Sequence, residues 1–150
     1  MVELREITKD NLEQVLALRI SESQKDFVSS TAHSLAQAWV YKDTAFPFAV
    51  YADNEIVGFV MLGYYEERSQ YTLWKFLIDE KHQHKGYGRK ALKLAVQYLI
   101  DRFNVAEIFT GVAYGNDVAE ALYRSVGFVK TGVEDDFQQE MKLVIKQSGA

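Results

Sequence analysis

A chain of 150 residues, 48% of them hydrophobic and 13% aromatic, can fill one core and is too short for two ordinary domains, so a single domain over 1–150 is expected. Its formal charge of −4 with both signs scattered lacks the gathered Lys and Arg of a nucleic-acid face, and zero cysteines exclude disulfides, thiolate metal sites and a thiol nucleophile. No apolar run approaches the roughly 20 residues that cross a bilayer, and the opening MVELREITKD lacks a basic then apolar secretory layout, so no membrane contact and a cytoplasmic location are expected.

Alternating apolar residues in VELREI predict a first strand, and Thr8 or Asp10 is placed to cap a helix carrying Leu12, Val15, Leu16 and Leu18. The stretch from Ser21 to Ser34 is polar and Ser-rich and reads as helix or loop, the expected place for substrate contact; SLAQAWVYK after it is helical by composition. FPFAVYA, the turn Asp53-Asn54, EIVGFVMLGYYEE, the link RSQ and YTLWKFLID predict three strands in an antiparallel meander, with Pro47 at a strand start where a missing N–H is tolerated.

Beyond Gly88, the spacing of Leu92, Val96, Leu99 and Phe103 predicts a long amphipathic helix. VAEIFTGVA reads as a strand. DVAEALYRSV reads as a short helix opened by an Asp117 and Glu120 capping box and stopped by Gly127. Val118, Leu122 and Val126 would form its core row, with Tyr123 one residue round and facing a cleft. FVKTG and FQQEMKLVI close the chain as a strand pair. The sum is six to seven strands and about four helices, a mixed α+β sheet with no internal repeat or linker.

The segment LWKFLIDEKHQHKGYGRKAL is a strand, a charged link, two glycines one residue apart and the start of a helix. Gly86 and Gly88 permit a tight bend and close approach, and the helix behind them offers unpaired N–H groups at its positive end, which together suit an anion. Lys85, Arg89 and Lys90 add charge that favours a polyphosphate. Gly86, Gly88 and Ala91 also satisfy G-x-G-x-x-A, but Asp79 to Lys85 separate them from the strand, and too little chain follows for a doubly wound dinucleotide domain. No P-loop is present.

The run Gln83-His84-Lys85-Gly86-Tyr87-Gly88 resembles the Q/R-x-x-G-x-G/A signature of GNAT acetyltransferases, and Asn116, Leu122-Tyr123 and Gly127-Phe128 resemble the family's second landmark. The resemblance spans Val2 to Ile145 and implies the GNAT acyl-CoA N-acyltransferase fold, a mostly antiparallel sheet flanked by helices. It further implies acetyl-CoA as co-substrate, with the pantetheine paired to the main chain of Phe76, Leu77 and Ile78 and the pyrophosphate held by the amides of His84 to Arg89. Homodimers are common in that family.

Acyl transfer to an amine requires a neutral amine, an oxyanion donor and a proton for the thiolate. The resemblance assigns the oxyanion donor to the Leu77 N–H and the proton to Tyr123, and gives Asn116 a role either at the cofactor's amides or as a helix cap. Relatives commonly carry an acid on the strand before the loop, but Leu73-Trp74-Lys75 contains none, so no base is assigned. Glu22, Asp26, Glu66, Glu67 and Asp136 are candidates acting through water. His82 and His84 form an H-x-H pair with no further ligand at matching spacing, so no metal is expected.

Ser23 to Val28 and Ser34 to Ala38 are similar to the polyamine and diamine N-acetyltransferase branch, which implies a spermidine-like acceptor; the acids above and the Glu134-Asp135-Asp136 run would attract it. A protein N-terminus, a lysine or an antibiotic amine is the alternative acceptor. A non-catalytic acyl-CoA-binding sensor is the alternative class.

Overall fold

The computed structural model describes residues 1–146. Among them are seven strands and four α-helices: β1 (Val2–Glu6), α1 (Leu12–Leu16), α2 (Thr31–Val40), β2 (Ala45–Ala52), β3 (Glu55–Tyr65), β4 (Gln70–Ile78), α3 (Tyr87–Phe103), β5 (Glu107–Ala113), α4 (Asp117–Ser125), β6 (Val129–Glu134) and β7 (Gln138–Val144). Short 3₁₀ turns cover Glu22–Gln24, Glu66–Arg68 and Glu80–His82. The expected α+β class and the β2–β3–β4 meander both stand. Asp53 and Asn54 take φ of 50° and 69°, the left-handed pair that a two-residue hairpin turn demands. Pro47 is tolerated because β1 pairs with β2 only as far as Phe48.

The first helix differs from expectation. Neither Thr8 nor Asp10 caps it; Asn11 stands at the N-cap with its side chain turned inward, donating to the Tyr51 hydroxyl at 3.0 Å and to the Glu6 carbonyl at 3.1 Å. The helix is a single turn ending at Leu16, so Leu18 lies beyond it. The capping box on α4 is also corrected. Asn116 caps it, accepting from the Ala119 N–H at 3.3 Å, while Glu120 binds Arg124 and Lys130 instead. An Asn in non-helical geometry just before the first turn satisfies an orphan amide that Asp117, already helical, cannot reach.

The sheet order is β1-β2-β3-β4-β5-β7-β6, antiparallel except for β4 against β5. One face packs α3 and α4 through Leu92, Leu99, Ile108, Tyr123 and Phe128; the other packs the α1 and α2 side through Val15, Ala38, Phe59 and Leu77. At about 25 cal/mol per Å², each large side chain so enclosed contributes roughly 1.5–3 kcal/mol, and these two layers hold the sheet rigid.

Two irregularities open the middle of this sheet. Met61 faces Lys75 and Leu62 faces Leu73, so Trp74 is an extra residue that bulges β4. Parallel pairing of β4 with β5 is confined to Thr72 with Phe109 and Leu73 with Thr110. Beyond Leu73 the two strands part, and the main chain from Trp74 to Ile78 has no strand partner on that side.

Candidate active site

The fork between β4 and β5 opens into a cleft of about 880 Å³. Its apex is fastened by the buried Thr110 hydroxyl, which donates to the Leu73 carbonyl at 2.9 Å, the last point where the strands touch. One wall is the free main chain of β4, and another is the loop from Gln83 to Arg89. The loop is bent by left-handed residues at His84 (φ 64°) and Gly86 (φ 80°), an arrangement that turns successive amides toward one concavity. Gly86 is the N-cap of α3 and has no side chain to satisfy the first-turn N–H groups, so those amides and the positive helix end are left for an anion. A Cβ at Gly88 would sit between Leu122, Ile78 and Phe76 at 3.6–3.9 Å, so glycine keeps the cleft floor low without relieving any clash.

Every residue singled out for cofactor contact lies at or beside this cleft: Phe76, Leu77, Ile78, Gln83, His84, Gly86, Tyr87, Gly88, Arg89, Asn116 and Tyr123 line it, with Lys85 on the loop between. Two long side chains are occupied by the protein itself. Gln83 donates to the Ile78 carbonyl at 3.1 Å, pinning the loop to the end of β4, and Arg89 donates to the Ser125 carbonyl at 3.3 Å. Buried Asp79 ties the same region to the chain after α1, accepting from the Arg19 and Lys81 amides at 3.1 and 3.0 Å. These bonds tie the loop to its surroundings through side chains.

The acidic candidates fare differently. Glu134 and Asp135 line the cleft, whereas Glu22, Asp26, Glu66, Glu67 and Asp136 do not. Asp135 accepts from the Phe137 and Gln138 amides, which hold its carboxyl below the usual range and keep it ionised. Glu140 also faces the cleft but is engaged by Arg68 at 3.2 Å and by the Thr131 hydroxyl at 2.9 Å. The H-x-H pair is split: His82 is buried, its Nε2 without a hydrogen-bond partner and 3.4 Å from Glu55, too long for a good bond. Among the described residues there is no group of three or more His, Asp and Glu placed to hold a metal ion.

The sequence model of the acetyltransferase (GNAT) family matches residues 12–128. The chain belongs to this family. It is 32% identical to the spermine/spermidine N(1)-acetyltransferase of Bacillus subtilis strain 168, in an alignment covering 97% of this chain and 98% of that protein. Among solved structures it is similar to the PaiA N-acetyltransferase of Thermoplasma acidophilum with coenzyme A (TM-score 0.74, 18% identity, 97% and 99% of the chains). It is similar also to the Vibrio cholerae spermidine N-acetyltransferase with coenzyme A and spermine (TM-score 0.71, 21% identity, 95% of each chain). These two structural likenesses bear on the fold.

The acetyltransferase places Tyr123 otherwise than its helical spacing predicts. Val118, expected in the core row, is 68% exposed; Tyr123 is the buried residue of α4, packed on Phe128 with ring centres 5.8 Å apart. Burial pushes the phenol up to about 12, against a smaller opposing pull from the Thr110 hydroxyl. α4 packs against α3, and Val118 lines the cleft.

Three cleft residues were not legible as functional. Gln24 donates to the Asn116 Oδ1 at 3.0 Å across 92 positions, linking the 3₁₀ turn after α1 to the cap of α4. Thr110 closes the fork, and Lys75 reaches Ser29 with an Nζ to Oγ distance of 3.1 Å. All three act across distances in sequence that no local pattern encodes.

Proposed function

We propose that this acetyltransferase moves the acetyl group of acetyl-CoA to a primary amine of a polyamine such as spermidine, by direct attack within one ternary complex. The observation that carries acyl transfer is the fork itself: free strand main chain, an uncapped helix N-terminus and a buried phenol converge on one cleft. The polyamine acceptor is supported by the near full-length match to the Bacillus subtilis enzyme.

In this reading the main chain of Phe76, Leu77 and Ile78 pairs with the pantetheine, and the amides from His84 to Arg89 hold the pyrophosphate. Lys85, exposed beside them, adds charge. The Asn116 carbonyl oxygen is spent on its cap and on Gln24, so its amide nitrogen is the group left for the cofactor. Bound acetyl-CoA supplies an activated carbonyl and a thiolate leaving group. The acceptor ammonium first gives one proton to water, and the N–C bond forms as the C–S bond breaks. The Leu77 N–H expected for this role lies instead on the β3 side of the strand, in the hydrogen-bonded register with Phe59, so the donor to the developing oxyanion is a main-chain N–H on the open side, that of Phe76 or Ile78. Tyr123 gives its proton to the departing sulfur and recovers one from the attacking nitrogen through water, so one proton is released per turnover.

Thiol release from acetyl-CoA, followed with a panel of spermidine, spermine, putrescine, lysine and an N-terminal peptide, tests the proposal. Polyamine-dependent release is expected. Acetyl-CoA binding without amine-dependent release would establish a sensor instead, and release with the peptide alone would move the acceptor to protein N-termini. A cytoplasmic location and a homodimer belong to the same reading. Among the described residues no helix is long and apolar enough to cross a membrane, and a Vibrio cholerae structural neighbour is itself an assembly, a dodecamer.

A further inference from the structure

β4 carries no acid where the cleft needs a neutral amine; it carries a lysine. Lys75 is half-buried on the cleft wall, in the open stretch beyond the Trp74 bulge. Its ammonium donates to the Ser29 hydroxyl, lies 5.8 Å from the Trp74 ring centre, and has no carboxylate within ion-pair distance among the described residues. Its strand neighbour on β3 is Met61, and β5 presents no titratable group from Phe109 to Ala113. On the segment after α1, Glu22 is paired to Lys25, and neither it nor Asp26 lines the cleft. Across the cleft, Glu140 is held by Arg68, so the free anionic charge on that wall is at Glu134 and Asp135. The cleft is therefore bipolar.

We infer that Lys75 is a specificity-determining residue that selects the protonation state of the acceptor, disfavouring an ammonium at the acyl end of the cleft so that the amine held there is the neutral one able to attack. The inference rests on the acetylation reading above. Lys75 stands next to Phe76 and three residues before Ile78, the residues whose main chain faces the open side of β4, so it lies within roughly 10 Å of either along the strand. A like charge at that separation in a partly solvated cleft lowers an amine's pKa by about one unit. Burial also pushes the Lys75 ammonium itself down from the ordinary lysine range. A polyamine meets both walls, its remaining ammonium groups drawn to Glu134 and Asp135 and its terminal amine left beside Lys75. The covalent step is unchanged: the proton lost from the ammonium goes to water, and Lys75 neither accepts nor donates one.

The signature is a split between kcat and KM. A neutral residue at 75 lets the ammonium bind unproductively, so with spermidine at pH 7, kcat and KM fall together by about tenfold while kcat/KM stays within about threefold. The acid limb of the kcat profile moves up by about one pH unit. Lys75→Met and Lys75→Gln test this, the latter retaining a donor to Ser29 should the former fail to fold; Lys75→Arg keeps the charge and is expected to keep the wild-type limb. An unmoved limb in the neutral variants overturns the inference, as does an arginine variant that behaves like the methionine one. Absence of polyamine turnover by the wild-type protein overturns the acetylation reading itself, and the inference with it.

Discussion

Tyr123 combines two demands on one side chain. As a buried phenol at about 12 it stays fully protonated through neutral pH, and a thiolate near 8.5 is the weaker base of the pair, so in the proposed mechanism proton transfer to sulfur is favourable only as the C–S bond breaks. Tyr123→Phe keeps the ring packing on Phe128, and we expect kcat to fall roughly 10–1,000-fold with acetyl-CoA affinity little changed, read by steady-state kinetics and calorimetry. The same shift has a stability consequence. An unfolded tyrosine begins to ionise near 10 while the folded one holds its proton to about 12, so the contribution of neutral Tyr123 is complete below pH 10 and is lost as pH rises through 12. Denaturant melts over that range should show about 3 kcal/mol more alkaline loss in the wild-type protein than in Tyr123→Phe. The sequence placed Tyr123 at the site through its motif but misjudged its surroundings. The face of α4 that is buried carries Tyr123 rather than Val118, which the i, i+4 pattern of Val118, Leu122 and Val126 does not contain.

At the level of elements, α3 was the most legible part of the chain because its apolar spacing persists over 17 residues and its start is marked by two glycines. Those glycines do different work. Gly86 needs its left-handed φ of 80°, whereas Gly88 sits in ordinary helical surroundings where a methyl group meets the protein only at normal contact distance. Gly88→Ala is therefore expected to hold or raise stability by roughly 0.5 kcal/mol through helix propensity while weakening acetyl-CoA binding at least tenfold, because in the proposed binding mode the methyl fills the floor where the phosphates would approach. Paired thermal melts and calorimetry separate the two effects; equal loss in both would place Gly88 in the fold rather than the site. By contrast α1, one turn long with an inward-facing Asn11, has too few residues to show a period, and its capping was misread for that reason.

For the molecule as a whole, strand identity and order along the chain were readable, but the parting of β4 from β5 was not, since no residue type spells the end of a parallel pairing. It follows from the Trp74 bulge and from the packing of α3 on one face and the α1 and α2 side on the other. The open stretch from Trp74 to Ile78 should show fast amide hydrogen exchange in the free protein and marked slowing with acetyl-CoA, while the Leu73 and Thr110 region stays protected in both; uniform protection without ligand would count against pantetheine pairing there. A bare strand border on the outside of a protein invites neighbouring chains and aggregation. Here the bare border from Trp74 to Ile78 lies along a cleft, in a sheet packed by α3 and α4 on one face and by the α1 and α2 side on the other. In the proposed binding mode the cofactor is held by the same main-chain bonding that builds amyloid.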